Sequence, residues 1–201
     1  MTLQYTVVVW KEMGGIALNQ PLGFATESLK LRMFTEDDYD KLFALTRQTE
    51  ITDLLPDWKM TEEQLQRFLK FVIRSYNTFQ ASDVRILLAM EEKMSGDLIG
   101  WCGVFPNDKL KVTDREIAYA ISKDFRNRGY ATEAVQGMAA FIWGCTELEE
   151  IVAIVKPFNK ASRRVLEKSG FERLDRRRLS DGRDYDYFKS GRPCVPNCKI
   201  L

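Results

Sequence analysis

The sequence predicts an α+β domain built on a mixed sheet. Three observations carry that reading. Strand-like runs rich in β-branched and aromatic residues follow one another like hairpin arms (Val84–Met90, Leu98–Phe105), and helical stripes are interspersed among the later strands. The chain has 201 residues, 45% of them hydrophobic, enough for one good core and short for two. Turn and cap signals, Ser95-Gly96-Asp97 between two strands and Ser169-Gly170 at a helix end, separate the periodic segments.

In chain order, residues 1–27 read as an N-terminal extension: an apolar run from Tyr5 to Trp10, then a Gly/Pro/Asn-punctuated stretch, forming an added strand, a hairpin or an arm. Leu29–Phe34 alternates and reads as the first core strand. Thr35 then opens a helix with Glu36, Asp37 and Asp38 in its first turn, where the helix dipole favours negative charge. The segment from Leu54 to Trp58 breaks it. Thr61-Glu62-Glu63-Gln64 is a capping box, and the helix behind it carries the stripe Leu65, Phe68, Leu69, Val72 and Tyr76. The two hairpin-like strands follow, and Glu116–Ile121 is a fourth core strand. A helix is expected from about Tyr130 to Cys145, with Ala134, Val135, Met138, Ala139 and Ile142 on its apolar face. Ile151–Val155 reads as a buried fifth core strand. Asn159 opens another helix that ends at Ser169-Gly170, with Gly170 as left-handed cap. Phe171–Leu174 and Arg183–Phe188 form a last strand pair, and Arg176-Arg177-Arg178 reads as a solvated loop balanced by Asp175, Asp181 and Asp184. The domain is thus expected over 28–190, with a tail at 191–201.

Composition removes several function classes. Thirty basic and 29 acidic residues leave a net charge of +1, so bulk electrostatics predict neither nucleic-acid nor membrane binding. No run has the length of a membrane span and the first residues lack the pattern of a signal peptide, so a cytoplasmic protein is expected. The chain has no histidine, which excludes Ser-His-Asp and Cys-His hydrolases and His-ligated metal centres. Cys194 and Cys198 have no second ligand pair with which to complete a zinc site, so no metal is expected.

The most informative stretch is Arg126-Asn127-Arg128-Gly129-Tyr130-Ala131, a short basic Gly-containing loop between a strand and a helix. That geometry aims unpaired backbone N–H groups and a helix dipole at one point, where a phosphate or pyrophosphate fits. Gly129 permits close approach, Ala131 is small, and Arg126 and Arg128 add positive charge at the rim. The hexamer alone reads equally well as an ordinary turn with two solvated arginines.

Five pieces in order resemble the GNAT superfamily of acyl-CoA-dependent N-acyltransferases, closest to its RimJ/RimL-like branch. They are Leu29-Lys30-Leu31-Arg32 entering Glu36-Asp37-Asp38; Leu98-Ile99-Gly100-Trp101-Cys102-Gly103; Glu116-Ile117-Ala118-Tyr119; Arg126-x-x-Gly129-Tyr130-Ala131-Thr132-Glu133-Ala134; and Asn159-x-x-Ser162-x-x-Val165-Leu166-Glu167-Lys168-x-Gly170-Phe171. The resemblance covers roughly residues 28–190. It implies a mostly antiparallel central sheet with helices on both faces, and a splay, opened by a bulge, between the fourth and fifth core strands. It also implies acetyl-CoA as co-substrate, an amine acceptor, no nucleic acid or membrane partner, and a monomer or homodimer.

By the same resemblance, backbone N–H groups across Arg126, Asn127, Arg128, Gly129, Tyr130 and Ala131, with the Thr132 hydroxyl, cradle the pyrophosphate. Backbone groups near Tyr119, Ile121 and Lys123 pair with the pantetheine, and Asn159 contacts it from the next helix. Lys123, Arg128, Lys160, Arg163 and Arg164 are the pool for the 3′-phosphate. The acceptor must lose a proton, and Glu116 is the candidate base, acting through a water; the alternative is a surface glutamate paired with Arg115 or a neighbour. Ser162 is the candidate proton donor to the departing thiolate; the alternative is a hydrogen bond to the helix backbone or pantetheine. Many relatives carry Tyr where this chain has Leu166, which removes the commonest acid. Trp58 and Tyr119 are candidate walls of the acceptor pocket, or core aromatics, and Asp53 and Asp57 attract a cationic amine or are solvated. A catalytically silent acyl-CoA-binding module is the second reading. A nucleotide-binding α/β protein is the third, but it demands a parallel-sheet pattern and a fuller Gly-rich signature that the chain lacks.

Overall fold

The computed structural model describes residues 22–193, so the Tyr5–Trp10 run and the Cys194/Cys198 pair lie outside the described residues. One eight-stranded sheet runs through these residues in the order β1-β2-β3-β4-β5-β6-β8-β7. The strands are β1 (Gly23–Ala25), β2 (Leu29–Arg32), β3 (Ile86–Glu92), β4 (Leu98–Phe105), β5 (Glu116–Ile121), β6 (Glu150–Val155), β7 (Glu172–Arg178) and β8 (Asp184–Gly191). The helices are α1 (Tyr39–Thr46), α2 (Thr49–Thr52), α3 (Glu62–Ser75), α4 (Tyr130–Cys145) and α5 (Lys160–Lys168). β5 and β6 are the fourth and fifth core strands, and theirs is the parallel pair; the other pairings are antiparallel.

Alternation along β4 and β5 separates the helices onto two faces. Cys102 faces α4, with its Sγ 4.0 Å from the Ala134 carbonyl, and it pairs in register with Tyr119. Its neighbour Trp101 faces the other way and stacks on Trp58 at 3.8 Å between centroids. Trp58 in turn meets Phe68 of α3 edge-on at 5.1 Å. One face of the sheet is therefore covered by α4 and α5, the other by α1 to α3. The core runs through both, with Leu29, Leu42, Leu65, Leu88, Ile99, Val135, Ile142, Ile151 and Leu166 among the residues fully excluded from water.

The boundaries of β4, β5 and α4 fall where the sequence places them. Elsewhere local chemistry moves them. Thr35 opens a single 3-10 turn, Glu36–Asp38, and the α-helix starts only at Tyr39, because Asp38 folds back to bond the Thr35 N–H (2.8 Å) while its carboxylate holds Arg32. Gly23–Ala25, assigned above to the extension, joins the sheet as a strand against Lys30–Arg32. The capping box at Thr61 forms with both hydrogen bonds.

The larger correction concerns the arginine cluster. Arg176, Arg177 and Arg178 are not a loop but the end of β7, an edge strand paired along its length with β8. Asp186, completely buried on β8, accepts from Arg173 (2.7 Å) and Arg176 (3.1 Å) and lies 3.4 Å from Arg163 of α5. Burial pushes its pKa up, but the Arg173 and Arg176 hydrogen bonds outweigh that and hold it below the ordinary carboxylate value. Arg177 takes Asp175 at 2.7 Å and lies over the Tyr187 ring at 3.7 Å. The balancing acid that the sequence reading left out is Asp186.

Candidate active site

The splay is built into the hydrogen bonding of β5. Against β4 the register is unbroken from Phe105↔Glu116 to Gly100↔Ile121. Against β6 it has one position, Glu116↔Val152, closed by the Val152 N–H donating to the Arg115 carbonyl at 3.0 Å. The expected bulge is absent from the β4–β5 register; the two parallel strands diverge without one. Which β5 groups are left open follows from alternation. The Ser122 N–H donates to the Ile99 carbonyl at 2.7 Å, so even-numbered residues face β4, and the N–H and C=O of Tyr119 and Ile121 point into the gap. Those are two of the three positions expected to pair with pantetheine. The third is otherwise engaged: the Lys123 N–H donates to Gln48 Oε1 at 2.8 Å, and Gln48 Nε2 donates to Ser122 Oγ at 3.0 Å.

Beyond the strand, Ser122 caps a 3-10 turn (Lys123–Phe125), and the loop reaches α4 through two left-handed residues, Asn127 (φ 62°) and Gly129 (φ 85°). Gly129 is the N-cap. The Glu133 N–H makes the first helical bond, to the Gly129 carbonyl at 3.0 Å, so the N–H groups of Tyr130, Ala131 and Thr132 have no helical acceptor. A Cβ placed on Gly129 would meet no atom within 4 Å, so the space before the helix is open. This is a fitting cradle for a pyrophosphate. The arginines are less free than their place in the loop suggests. Arg126 donates to the Glu50 carbonyl at 2.8 Å, and Arg128 reaches the Asp124 carbonyl while lying over the Phe125 ring at 5.1 Å. Two acids brace the helix start: Tyr130 donates to Glu92 at 2.9 Å, and Glu133 accepts the Ser28 N–H at 2.6 Å.

On the α5 side, Asn159 is the N-cap and its Oδ1 accepts the Ser162 N–H at 3.1 Å. Ser162 Oγ lies 2.8 Å from the Tyr119 hydroxyl, which is also 3.2 Å from the Ser162 carbonyl. The carbonyl can only accept. A Tyr119 proton directed there leaves Ser162 to donate to the Tyr119 oxygen, giving a two-hydroxyl pair at the edge of the gap. Burial pushes the Tyr119 pKa well up, so that hydroxyl stays neutral. Leu166, the position at which the resemblance would lead one to expect a tyrosine, is fully buried in the core.

Glu116 opens β5 at the last shared rung before the gap. It is 7% exposed, so the reading as a surface glutamate does not hold. Asn107 Nδ2 donates to its Oε2 at 2.5 Å. Burial pushes its pKa up to about 7, against the opposing pull of Asn107, the Ile154 N–H of β6 and Lys109. By alternation it lies on the Trp101 face of the sheet, opposite Tyr119. Trp58 and Tyr119 therefore do not share a wall: Trp58 is on the Glu116 side and Tyr119 on the Ser162 side. Asp57 is exposed and 4.0 Å from Lys109. The Asp53 carbonyl accepts from Lys156 at 3.1 Å. Sequence reasoning missed Gln48 and Asn107, whose roles arise from contacts across loops and leave no periodic signal.

The family model of the acetyltransferase (GNAT) domain matches residues 28–172. The chain belongs to the GNAT acetyltransferase family. Among its relatives is the probable N-acetyltransferase YjcK of Bacillus subtilis, 28% identical over 149 residues, spanning 74% of this chain and 75% of the relative. The fold matches the solved structure of a GNAT-family acetyltransferase from Bacillus anthracis with TM-score 0.71 at 20% identity, covering 85% of this chain and 99% of that one. It also matches AAC(6′)-Ib in complex with paromomycin and acetyl-CoA, with TM-score 0.67 at 21% identity, covering 83% and 94%. Its enzyme class is accordingly that of the N-acetyltransferases. No helix among the described residues is long and apolar enough to cross a membrane.

Proposed function

We propose that this GNAT domain transfers an acetyl group from acetyl-CoA directly to a primary amine within a ternary complex. The observation that carries this reading is the one-rung β5–β6 pairing beside an open helix N-terminus, a gap in the sheet with unpaired strand edge on one side and an anion cradle at its end. The N–H groups of Tyr130, Ala131 and Thr132 would hold the pyrophosphate. The open edge at Tyr119 and Ile121 would pair with the pantetheine, and Asn159 and Ser162 would flank it from α5. Lys123, Arg126, Asn127, Arg128 and Gly129 complete the loop around the anion, with Arg126 exchanging its Glu50 carbonyl for phosphate.

Glu116 takes the proton from the acceptor ammonium through a water. A base titrating near neutrality is matched to that task, since a good part of it is ionised near neutral pH and it is basic enough to accept the proton. The amine then forms the new N–C bond and gives its remaining surplus proton to water as the C–S bond breaks, while the departing thiolate takes a proton from the Ser162–Tyr119 hydroxyl pair, which regains one from solvent. Trp58 and the Pro56–Trp58 turn lie over the Glu116 face, where the acceptor would enter. The five sequence pieces support a RimJ/RimL-like enzyme acting on a protein N-terminus or a small amine. The free thiols of Cys102 and Cys145 fit a cytoplasmic protein, and the family resemblance supports a monomer or homodimer.

Leu166 favours one other reading, a silent acyl-CoA-binding module, because it leaves no tyrosine at the usual acid position. Titration calorimetry with acetyl-CoA, followed by thiol release over a panel of peptides and small amines, tests both. Binding with release on particular amines is the expected result. Binding without release on any amine supports the silent module, and no binding at sub-millimolar acetyl-CoA sinks both readings.

A further inference from the structure

We infer that Asn107 is the positioning residue for the reaction's base: it fixes the Glu116 carboxylate at the mouth of the gap and helps keep it ionised. The inference rests on the reading of Glu116 as base. Its geometry stands independently. Asn107 lies in the connection between β4 and β5, where its carbonyl accepts the Leu110 N–H at 3.0 Å and its Oδ1 accepts the Lys109 N–H at 2.9 Å. A backbone N–H can only donate, so the Asn107 amide oxygen must face Lys109 and its NH2 must face outward from the turn. That NH2 meets Glu116 Oε2 at 2.5 Å. The turn thus sets the amide, and the amide sets the carboxylate.

The arrangement has a consistent electrostatic logic. Glu116 is held on three sides: by the Asn107 amide from the connection, by the Ile154 N–H from β6, and by the charge of Lys109 from the same connection. Lys109 is itself partly answered by Asp57 from the Pro56–Trp58 turn at 4.0 Å. Farther along the mouth, Lys156 at the end of β6 lies near Asp53, Asp57, Arg183 and Lys109. Asn107 is the side chain that touches Glu116, and it donates to the ionised form. A hydrogen bond to a buried carboxylate favours its charged state and restricts its rotamers together. The Asn107 amide and the Ile154 N–H together fix the orientation in which the carboxylate meets a water.

The experiment compares Asn107→Ala and Asn107→Asp with Glu116→Gln in the full-length chain, measuring acetyl-CoA affinity by calorimetry and kcat/KM against pH. Asp keeps the oxygen that bonds the Lys109 N–H but sets a second carboxylate against Glu116, where the two cannot both ionise. The inference predicts unchanged acetyl-CoA affinity in all three variants. For Asn107→Ala it predicts that the acid limb of the pH profile moves upward, with kcat falling about tenfold at pH 7. For Asn107→Asp it predicts a larger upward shift, with activity partly restored at high pH. Unmoved acid limbs in both Asn107 variants, alongside an inactive Glu116→Gln, would overturn the positioning role while leaving the base intact. A fully active Glu116→Gln would instead overturn the reading of Glu116 on which the inference rests.

Discussion

The two edges of β5 are made by the same six residues and do opposite work. Toward β4 the strand is closed, paired at every position from Glu116 to Ile121. Toward β6 it is closed at Glu116 and open beyond. Side-chain burial hardly distinguishes the edges, because in a strand burial is a property of faces and not of edges. What differs is the fate of the backbone groups: Ala118 and Ala120 are committed to the sheet, whereas Tyr119 and Ile121 are left without a strand partner. An edge inside a sheet normally carries a cost in lost hydrogen bonds. Here the fold keeps it open by tying β6 to β8 through six register positions and pinning α5 to β8 through Asp186 and Arg163. Stability sits on one side of the strand and chemistry on the other, so substitutions on the two sides should fail differently.

The closed edge should break most severely. A Cβ on Gly100 would lie 2.1 Å from the Ala120 carbonyl oxygen, a contact that backbone atoms can relieve only by parting β4 from β5. Gly100→Ala should cost roughly 3–5 kcal/mol in urea denaturation, or prevent folding.

On the open side, Glu116→Gln should lower kcat by about 100-fold while leaving acetyl-CoA affinity unchanged. Its stability effect has the opposite sign. The folded pKa of Glu116 is raised from 4.5 to about 7, so the stability conferred by its protonated form is present below 4.5 and lost as pH rises through 7. Glutamine removes that loss. The Tm advantage of the variant should therefore grow between pH 4.5 and 7 and level off above, corresponding to no more than about 3 kcal/mol.

Across the gap, Asp186→Ala leaves Arg163, Arg173 and Arg176 without their shared acceptor. Because those guanidiniums keep access to water, the cost should be about 1–3 kcal/mol, less than for a fully buried pair, and acetyl-CoA affinity should fall as α5 loosens. Stability linked to Asp186 should be lost as pH falls through its depressed folded pKa. The smallest effect belongs to Gly129→Ala. Nothing lies within 4 Å of the added Cβ, so the strain at φ 85° costs only about 1–2 kcal/mol, while acetyl-CoA binding weakens.

The contrast between edges also explains what the sequence could show. β4, β5 and α4 are marked by apolar runs or helical periodicity between polar segments, and their limits are readable directly. So was the anion loop, because Gly129 and the strand–helix junction are local features. The start of β7 was readable too, but its Asp-Arg-Arg-Arg end was not, since it has no apolar alternation; it continues the strand because β8 offers a partner and Asp186 a sink for its charge. The separation of Trp58 from Tyr119 depends on register, and the Asn107 and Gln48 contacts depend on loops that meet only after folding.

The most direct test of the open edge is amide hydrogen exchange, read residue by residue along β5 with and without acetyl-CoA. Ala118 and Ala120 should be protected in both states, while Tyr119 and Ile121 should exchange readily alone and become protected when acetyl-CoA binds. Equal protection of all four residues without acetyl-CoA, or no change at Tyr119 and Ile121 under saturating acetyl-CoA, would contradict the account.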